Sequence, residues 1–118
     1  MRNAKGLIVR TPWIHLILSG QKTWEMRSRH TKNTGSIYLI EAGTGLIKGR
    51  CLLSGTHKVT PDMFDSTQPY HQLSDKSLLD KWNIAWRLCC ARYLEKPIPY
   101  IHPRGAVTWV NLPEPFYE

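Results

Sequence analysis

Apolar residues alternate with polar ones along most of this chain, in short stretches broken by glycine- and proline-rich turns. Residues 5–10, centred on Leu7-Ile8-Val9, predict a first strand. Thr11-Pro12 predicts a helix start, with a hydroxyl N-cap and proline at the first helical position. Trp13, Ile14, Ile17 and Leu18 share one face of that helix, His15 and Ser19 lie on another, and Gly20 stops it. The period then changes to two. Across residues 23–29, Thr23, Glu25, Arg27 and Arg29 point one way and Trp24, Met26 and Ser28 the other, which predicts a half-buried strand carrying charge on its open face. Residues 30–35 are turn formers. Strands are expected over 36–41 and 46–54, joined by the tight Ala42-Gly43-Thr44-Gly45 connection. The second of them turns Ile47, Cys51 and Leu53 one way and Lys48 and Arg50 the other.

In the second half, Thr60-Pro61 repeats the cap-plus-proline device and predicts another short helix, and Ser74 is expected to cap a third over 75–82. Strands follow at 87–94 and 106–112, the latter rich in Val107, Thr108, Trp109 and Val110. Between them Lys96-Pro97-Ile98-Pro99-Tyr100 is held extended by its prolines. Short strands separated by turns, with helices inserted, predict an α+β fold built on a small mixed β-barrel with short peripheral helices. No βαβ unit is apparent, and no glycine-rich phosphate loop of the Walker or dinucleotide type.

The 118 residues fit one domain, 1–118, with ordinary globular composition. No apolar run approaches the roughly 18 residues that span a membrane, and Leu7-Ile8-Val9 is too short for a signal-peptide core, so a cytoplasmic protein is expected. Three cysteines, Cys51, Cys89 and Cys90, make no disulfide framework and are expected to be reduced and buried. They form no C-x-x-C and no zinc spacing with the five scattered histidines, so neither a metal nor a cofactor is called for. Net charge is +7. Residues 1–50 hold nine basic side chains and two acids, which accounts for the whole excess; residues 51–118 are neutral. Such a basic half suits a nucleic-acid or nucleotide binder as well as a merely solvated surface.

The densest chemistry lies at Gly20-Gln21-Lys22-Thr23-Trp24-Glu25-Met26-Arg27, which puts a lysine, a carboxylate and an arginine within six positions. Gly20, Lys22, Glu25 and Arg27 fit a G-x-K-x-x-E-x-R pattern that resembles the signature of ASCH domains, the activating-signal-cointegrator homology family with a PUA-like barrel. The likeness continues through Pro12-Trp13, Ile17-Leu18, Gly35, Gly45, Gly49, Trp86, Pro97-Ile98-Pro99-Tyr100 and Gly105-Ala106-Val107-Thr108-Trp109. It implies a PUA-like pseudobarrel with a cleft against the first helix. Family-level proposals are RNA binding, coactivation in eukaryotes, hydrolysis of the N4-acetylcytidine amide in one branch, and ribonuclease activity in one bacterial member. The amidohydrolase branch uses a lysine, a threonine three residues later and a later glutamate. The lysine falls on Lys22, but the threonine position holds Glu25, and residues 68–73 offer His71 and Gln72 without an acid. That activity is therefore not transferred.

The expected function is binding of RNA, or of a modified nucleoside or nucleotide, beside the first helix. Lys22 and Arg27 would meet anionic or carbonyl oxygens, and Glu25 would accept from a base amino group or position Lys22. Thr23 neighbours them, Trp13 or Trp86 would stack on a base, Lys48 would meet a phosphate, and His71 would act as an acid or a base-edge contact. For most of these a bland reading stands alongside: an ion pair for Glu25 with Arg27, core packing for the tryptophans, a solvated face for Lys48, a surface histidine for His71. Two other classes compete. One is a metal-independent hydrolase of RNA or of a nucleoside amide, using Lys22 and Glu25 as catalytic groups. The other is a protein-interaction module whose basic face meets an acidic partner.

Overall fold

The computed structural model describes residues 3–113. Six strands form one sheet in the order β2-β5-β4-β3-β1-β6, where β1 is Asn3–Val9, β2 Trp24–Arg27, β3 Gly35–Glu41, β4 Leu46–Lys58, β5 Ile84–Pro99 and β6 Trp109–Pro113. β1 and β3 are parallel and every other pairing is antiparallel. The long strands β4 and β5 curl, with register shifts between Ile47 and Gly49, Arg50 and Leu52, and Leu53 and Gly55. Bulges of this kind bend a strand and raise its twist. The result is the expected α+β, PUA-like half-barrel.

The helix α1 (Trp13–Leu18) packs inside the curl. Its buried stripe of Ile14, Ile17 and Leu18 meets Leu7, Val9, Leu39, Leu53, Trp86 and Leu88 from the strands. Burying each such side chain contributes roughly 1.5–3 kcal/mol, far more than six residues of helix propensity could. Gly49 permits the approach: a Cβ there would stand 2.6 Å from the Arg92 carbonyl oxygen and collide with Leu18. A second cluster of Met26, Val59, Phe64, Leu73, Leu79 and Ala85 lies under α2 (Phe64–His71) and the 3-10 segment Lys76–Asp80. A third, with Ile40, Ile47, Leu94, Val110 and Leu112, fills the opposite end. Among the described residues, no helix is long and apolar enough to cross a membrane.

Several local expectations need correction. Thr11 does not cap α1. The flanking position is Pro12, and the Thr11 hydroxyl donates instead to Glu41 Oε2 at 2.7 Å. The third helix is capped by Asp75, which accepts from the Ser77 N–H at 2.9 Å, and not by Ser74. β2 ends at Arg27, and its charged face is covered, with Glu25 buried beside Met26. Only Cys51 is buried among the cysteines. Cys90 takes a positive φ of 58° in β5, the alternation breaks there, and Cys89 and Cys90 are both exposed.

Candidate functional site

Curling leaves a seam. Among the described residues β2 pairs only with β5 and β6 only with β1, so these two strands are the edges of the sheet. Unpaired edges present backbone groups that need partners. Here a side chain spans the gap: Arg27, the last residue of β2, donates from Nη2 to the Ile8 carbonyl of β1 at 2.7 Å. Its Nε donates to Glu25 Oε2 at 3.0 Å, and its guanidinium lies 5.5 Å from the Trp86 ring centroid. Along this seam runs a cleft of about 540 Å³, within the usual range for small-ligand sites.

Lys22 forms the deep end of the cleft. Gly20, with φ +87°, turns the chain out of α1 and back beneath it. The Lys22 N–H then donates to the Leu16 carbonyl at 3.0 Å, and the side chain runs inward. Lys22 is 1 % exposed, its ammonium donates to the His71 carbonyl oxygen, and Nζ lies 4.9 Å from the Trp13 ring centroid. Burial pushes its pKa down from 10.5 to about 8; the nearby Glu25 carboxylate opposes that shift and Arg27 adds to it. Desolvation dominates because a buried ammonium loses hydration that one carbonyl and one ring face replace only in part. At neutral pH Lys22 is still a cation.

Four cationic side chains, Arg10, Lys22, Arg27 and Lys81, line the cleft against one carboxylate, Glu25. Trp13 and Trp82 supply half-buried aromatic surface. The loop before β6 closes one side. His102 is fixed there, accepting from the Tyr100 hydroxyl at 2.8 Å through Nδ1 and donating from Nε2 to the Ala106 carbonyl at 2.9 Å. The arrangement suits a ligand with an anionic group and a flat ring. Among the described residues, no cluster of His, Cys, Asp and Glu is placed to hold a metal ion.

The expected residues divide. Trp13, Lys22, Glu25 and Arg27 converge on the cleft. Thr23 does not line it; its backbone ties β2 to its surroundings, donating to the Tyr70 carbonyl at 3.0 Å and accepting from the Leu88 N–H at 2.7 Å. His71 ends α2 and is fully buried, with Nδ1 accepting from the Leu73 N–H and Nε2 donating to the Phe64 carbonyl. Burial lowers its pKa, the bond to Phe64 opposes this, and Lys22 adds to the lowering. Both ring nitrogens are occupied, so His71 holds the carbonyl that receives Lys22 and is not a surface acid. Trp86 is 3 % exposed; it stacks on Trp109 at 5.8 Å and donates its indole N–H to the Arg29 carbonyl at 2.7 Å. It forms the floor under Arg27, not a free stacking face. Lys48 lies elsewhere, 3.5 Å from Glu41 Oε1.

Arg10, Lys81, Trp82 and His102 were not singled out from the pattern. Arg10 had one signal, its place at the end of the predicted first strand, next to the helix start. Trp82 had its four-residue spacing from Trp86. Nothing local marks His102, which reaches the cleft through the sheet topology.

The sequence model of the ASCH domain matches residues 7–98. Three crystal structures of the ASCH protein from Zymomonas mobilis, two of them of mutant forms, are similar in fold. Their TM-scores are 0.72, 0.71 and 0.71 at 16 % identity, covering 96 or 97 % of this chain and 90 to 92 % of those chains. No curated protein sequence matches the chain.

Proposed function

The chain belongs to the ASCH domain family, generally thought to bind RNA, and on that premise we propose that its seam cleft binds RNA or a modified nucleoside or nucleotide. One observation carries this reading: a fully buried lysine, Lys22, sits at the end of a cleft where cations outnumber carboxylates and two tryptophans form the walls. A buried ammonium with so few partners is costly to fold around. An anionic or carbonyl oxygen of a ligand would supply the missing solvation. Arg27, held on Nε and Nη2, keeps Nη1 for the same ligand. Glu25 positions Arg27 and offers an acceptor to a base amino group. Trp13 or Trp82 stacks on the base, which is worth roughly 1–3 kcal/mol. The test is titration of nucleosides, nucleotides and short RNAs into the wild type and Lys22→Met at low salt. Binding that weakens at least tenfold in the variant supports the reading, and wild-type affinity in the variant would end it.

A second reading, a metal-independent hydrolase of RNA or a nucleoside amide acting through Lys22 and Glu25, is favoured by the lysine pKa of about 8. A lysine in that range exchanges protons readily near neutral pH. It calls for turnover of an acylated cytidine or of RNA that Lys22→Met abolishes while leaving the melting curve cooperative.

A further inference from the structure

The cleft does not end at Arg27. That residue and Trp82 also line a second hollow, of about 670 Å³, which opens against residues 28–33. This segment, Ser28-Arg29-His30-Thr31-Lys32-Asn33, joins β2 to β3 and contains no acid and no apolar side chain. Its path is pinned at several points. The Arg29 carbonyl accepts from the Trp86 indole at 2.7 Å, His30 Nδ1 lies 2.6 Å from Thr56 Oγ1, and Thr31 Oγ1 accepts from the Asn33 N–H at 3.1 Å. Arg29 and Lys32 stay exposed, and neither forms an ion pair with a described residue. Beside them lies an aromatic floor, the stacked pair Trp86 and Trp109.

We propose that the ligand is a stretch of single-stranded RNA at least two nucleotides long, one nucleotide seated in the cleft and the phosphate of its neighbour held by Arg29 and Lys32 in the adjoining hollow. This rests on the nucleotide reading of the cleft and narrows it. A free nucleoside would occupy only the first hollow and make no use of the two exposed cations on the pinned loop beside it. A polyanion running past Arg27 and Trp82 uses both hollows. Positive grooves that track a backbone beside aromatic surface are the usual means of holding unpaired strands. A duplex would keep its bases stacked inside, out of reach of the cleft walls.

The test compares cytidine 5′-monophosphate with a four-nucleotide single-stranded RNA, for the wild type, the Arg29→Gln/Lys32→Gln double variant and Lys22→Met. The tetramer should bind the wild type at least tenfold more tightly than the monophosphate. The double variant should lose that advantage, keep its monophosphate affinity within twofold, and flatten the dependence of log affinity on log salt by about 0.7, from the one phosphate that the two side chains hold. A monophosphate that binds undetectably, with tetramer binding that needs Arg29 and Lys32, supports the proposal equally. Wild-type tetramer affinity and salt slope in the double variant would overturn it while leaving the cleft reading intact. So would polyglutamate binding as tightly as RNA, which would assign the groove to acidic peptides. Wild-type affinity for both nucleotides in Lys22→Met would instead overturn the cleft reading itself.

Discussion

Two charged clusters flank the first helix, built from similar side chains and opposite in physical character. On one side Lys22, Glu25 and Arg27 lie along the seam, with Lys22 1 % and Glu25 6 % exposed. On the other, Glu41 at the end of β3 accepts from Thr11 at 2.7 Å, lies 2.9 Å from His15 Nε2 and 3.5 Å from Lys48 Nζ. There the His15 ring is 42 % exposed. The difference shows in the direction of the pKa shifts. In the surface cluster the Thr11 hydroxyl, followed by His15 and Lys48, holds the Glu41 carboxyl below its ordinary value, because each favours the charged form. In the seam, burial pushes Lys22 toward the neutral form. The surface cluster stabilises the fold through its charges; the seam cluster is maintained despite one of them. Groups kept at a cost to stability mark functional sites more often than satisfied ones do, and this separates the two clusters where their composition does not.

The largest test of the contrast removes one carboxylate from each. Glu25→Ala leaves Arg27 without its partner beside a buried lysine, and we expect a loss of about 3 kcal/mol in urea unfolding, as for broken buried pairs. Glu41→Ala should lose about 1 kcal/mol or less, because its partners are reached by solvent. Equal losses would erase the distinction.

Lysine replacements give the next effect, of opposite sign. Lys22→Met removes a desolvated charge worth about 3 kcal/mol but orphans the His71 carbonyl, so a net stabilisation of about 1–2 kcal/mol at pH 7 is expected. Lys48→Met should stay within about 0.5 kcal/mol. Over pH the two groups act in the same direction but in separate windows, because each has a folded pKa below its ordinary value. The unfolded chain keeps the Lys22 proton up to its ordinary value of 10.5 while the folded chain releases it near 8. Wild-type stability relative to Lys22→Met should therefore rise between pH 8 and 10.5. Glu41, whose folded pKa lies below its ordinary 4.5, contributes stability above that value and loses it as pH falls further. A Glu41→Gln variant should accordingly differ from wild type at neutral pH and converge with it in acid.

The smallest expected effect is on affinity. Nucleotide binding should weaken about tenfold as pH is raised from 7 to 9.5 and Lys22 loses its charge, whereas Lys48→Met should follow the wild-type curve. Titration by fluorescence at each pH checks it, and a flat wild-type profile would remove Lys22 from the contact set.

How far the site could be read in advance follows from chain separation. Lys22, Glu25 and Arg27 lie on one turn and one strand, so their spacing alone brought them together. Arg10, Lys81 with Trp82, and His102 reach the same cleft from three separate segments, and only the strand order places them there. The strands were legible from alternation because a half-buried sheet demands it. Alternation failed at Glu25, where the charged face is roofed by the curl, and at Cys90, where a positive φ turns consecutive residues outward. Thr11 failed as a cap because its hydroxyl is turned across the fold to donate to Glu41, and Pro12 takes the flanking position. Competition of that kind between local and distant partners leaves no trace in a local pattern.

The most direct measurement is an NMR titration of the Lys22 side chain, assigned by comparison with Lys22→Met, with and without a saturating nucleotide monophosphate. We expect a midpoint near 8 in the free protein and a clear rise on binding, as the ligand's anionic group restores the solvation that burial removed. A midpoint near 10.5 that does not move with ligand would contradict both the buried-cation account of the cleft and its role in binding.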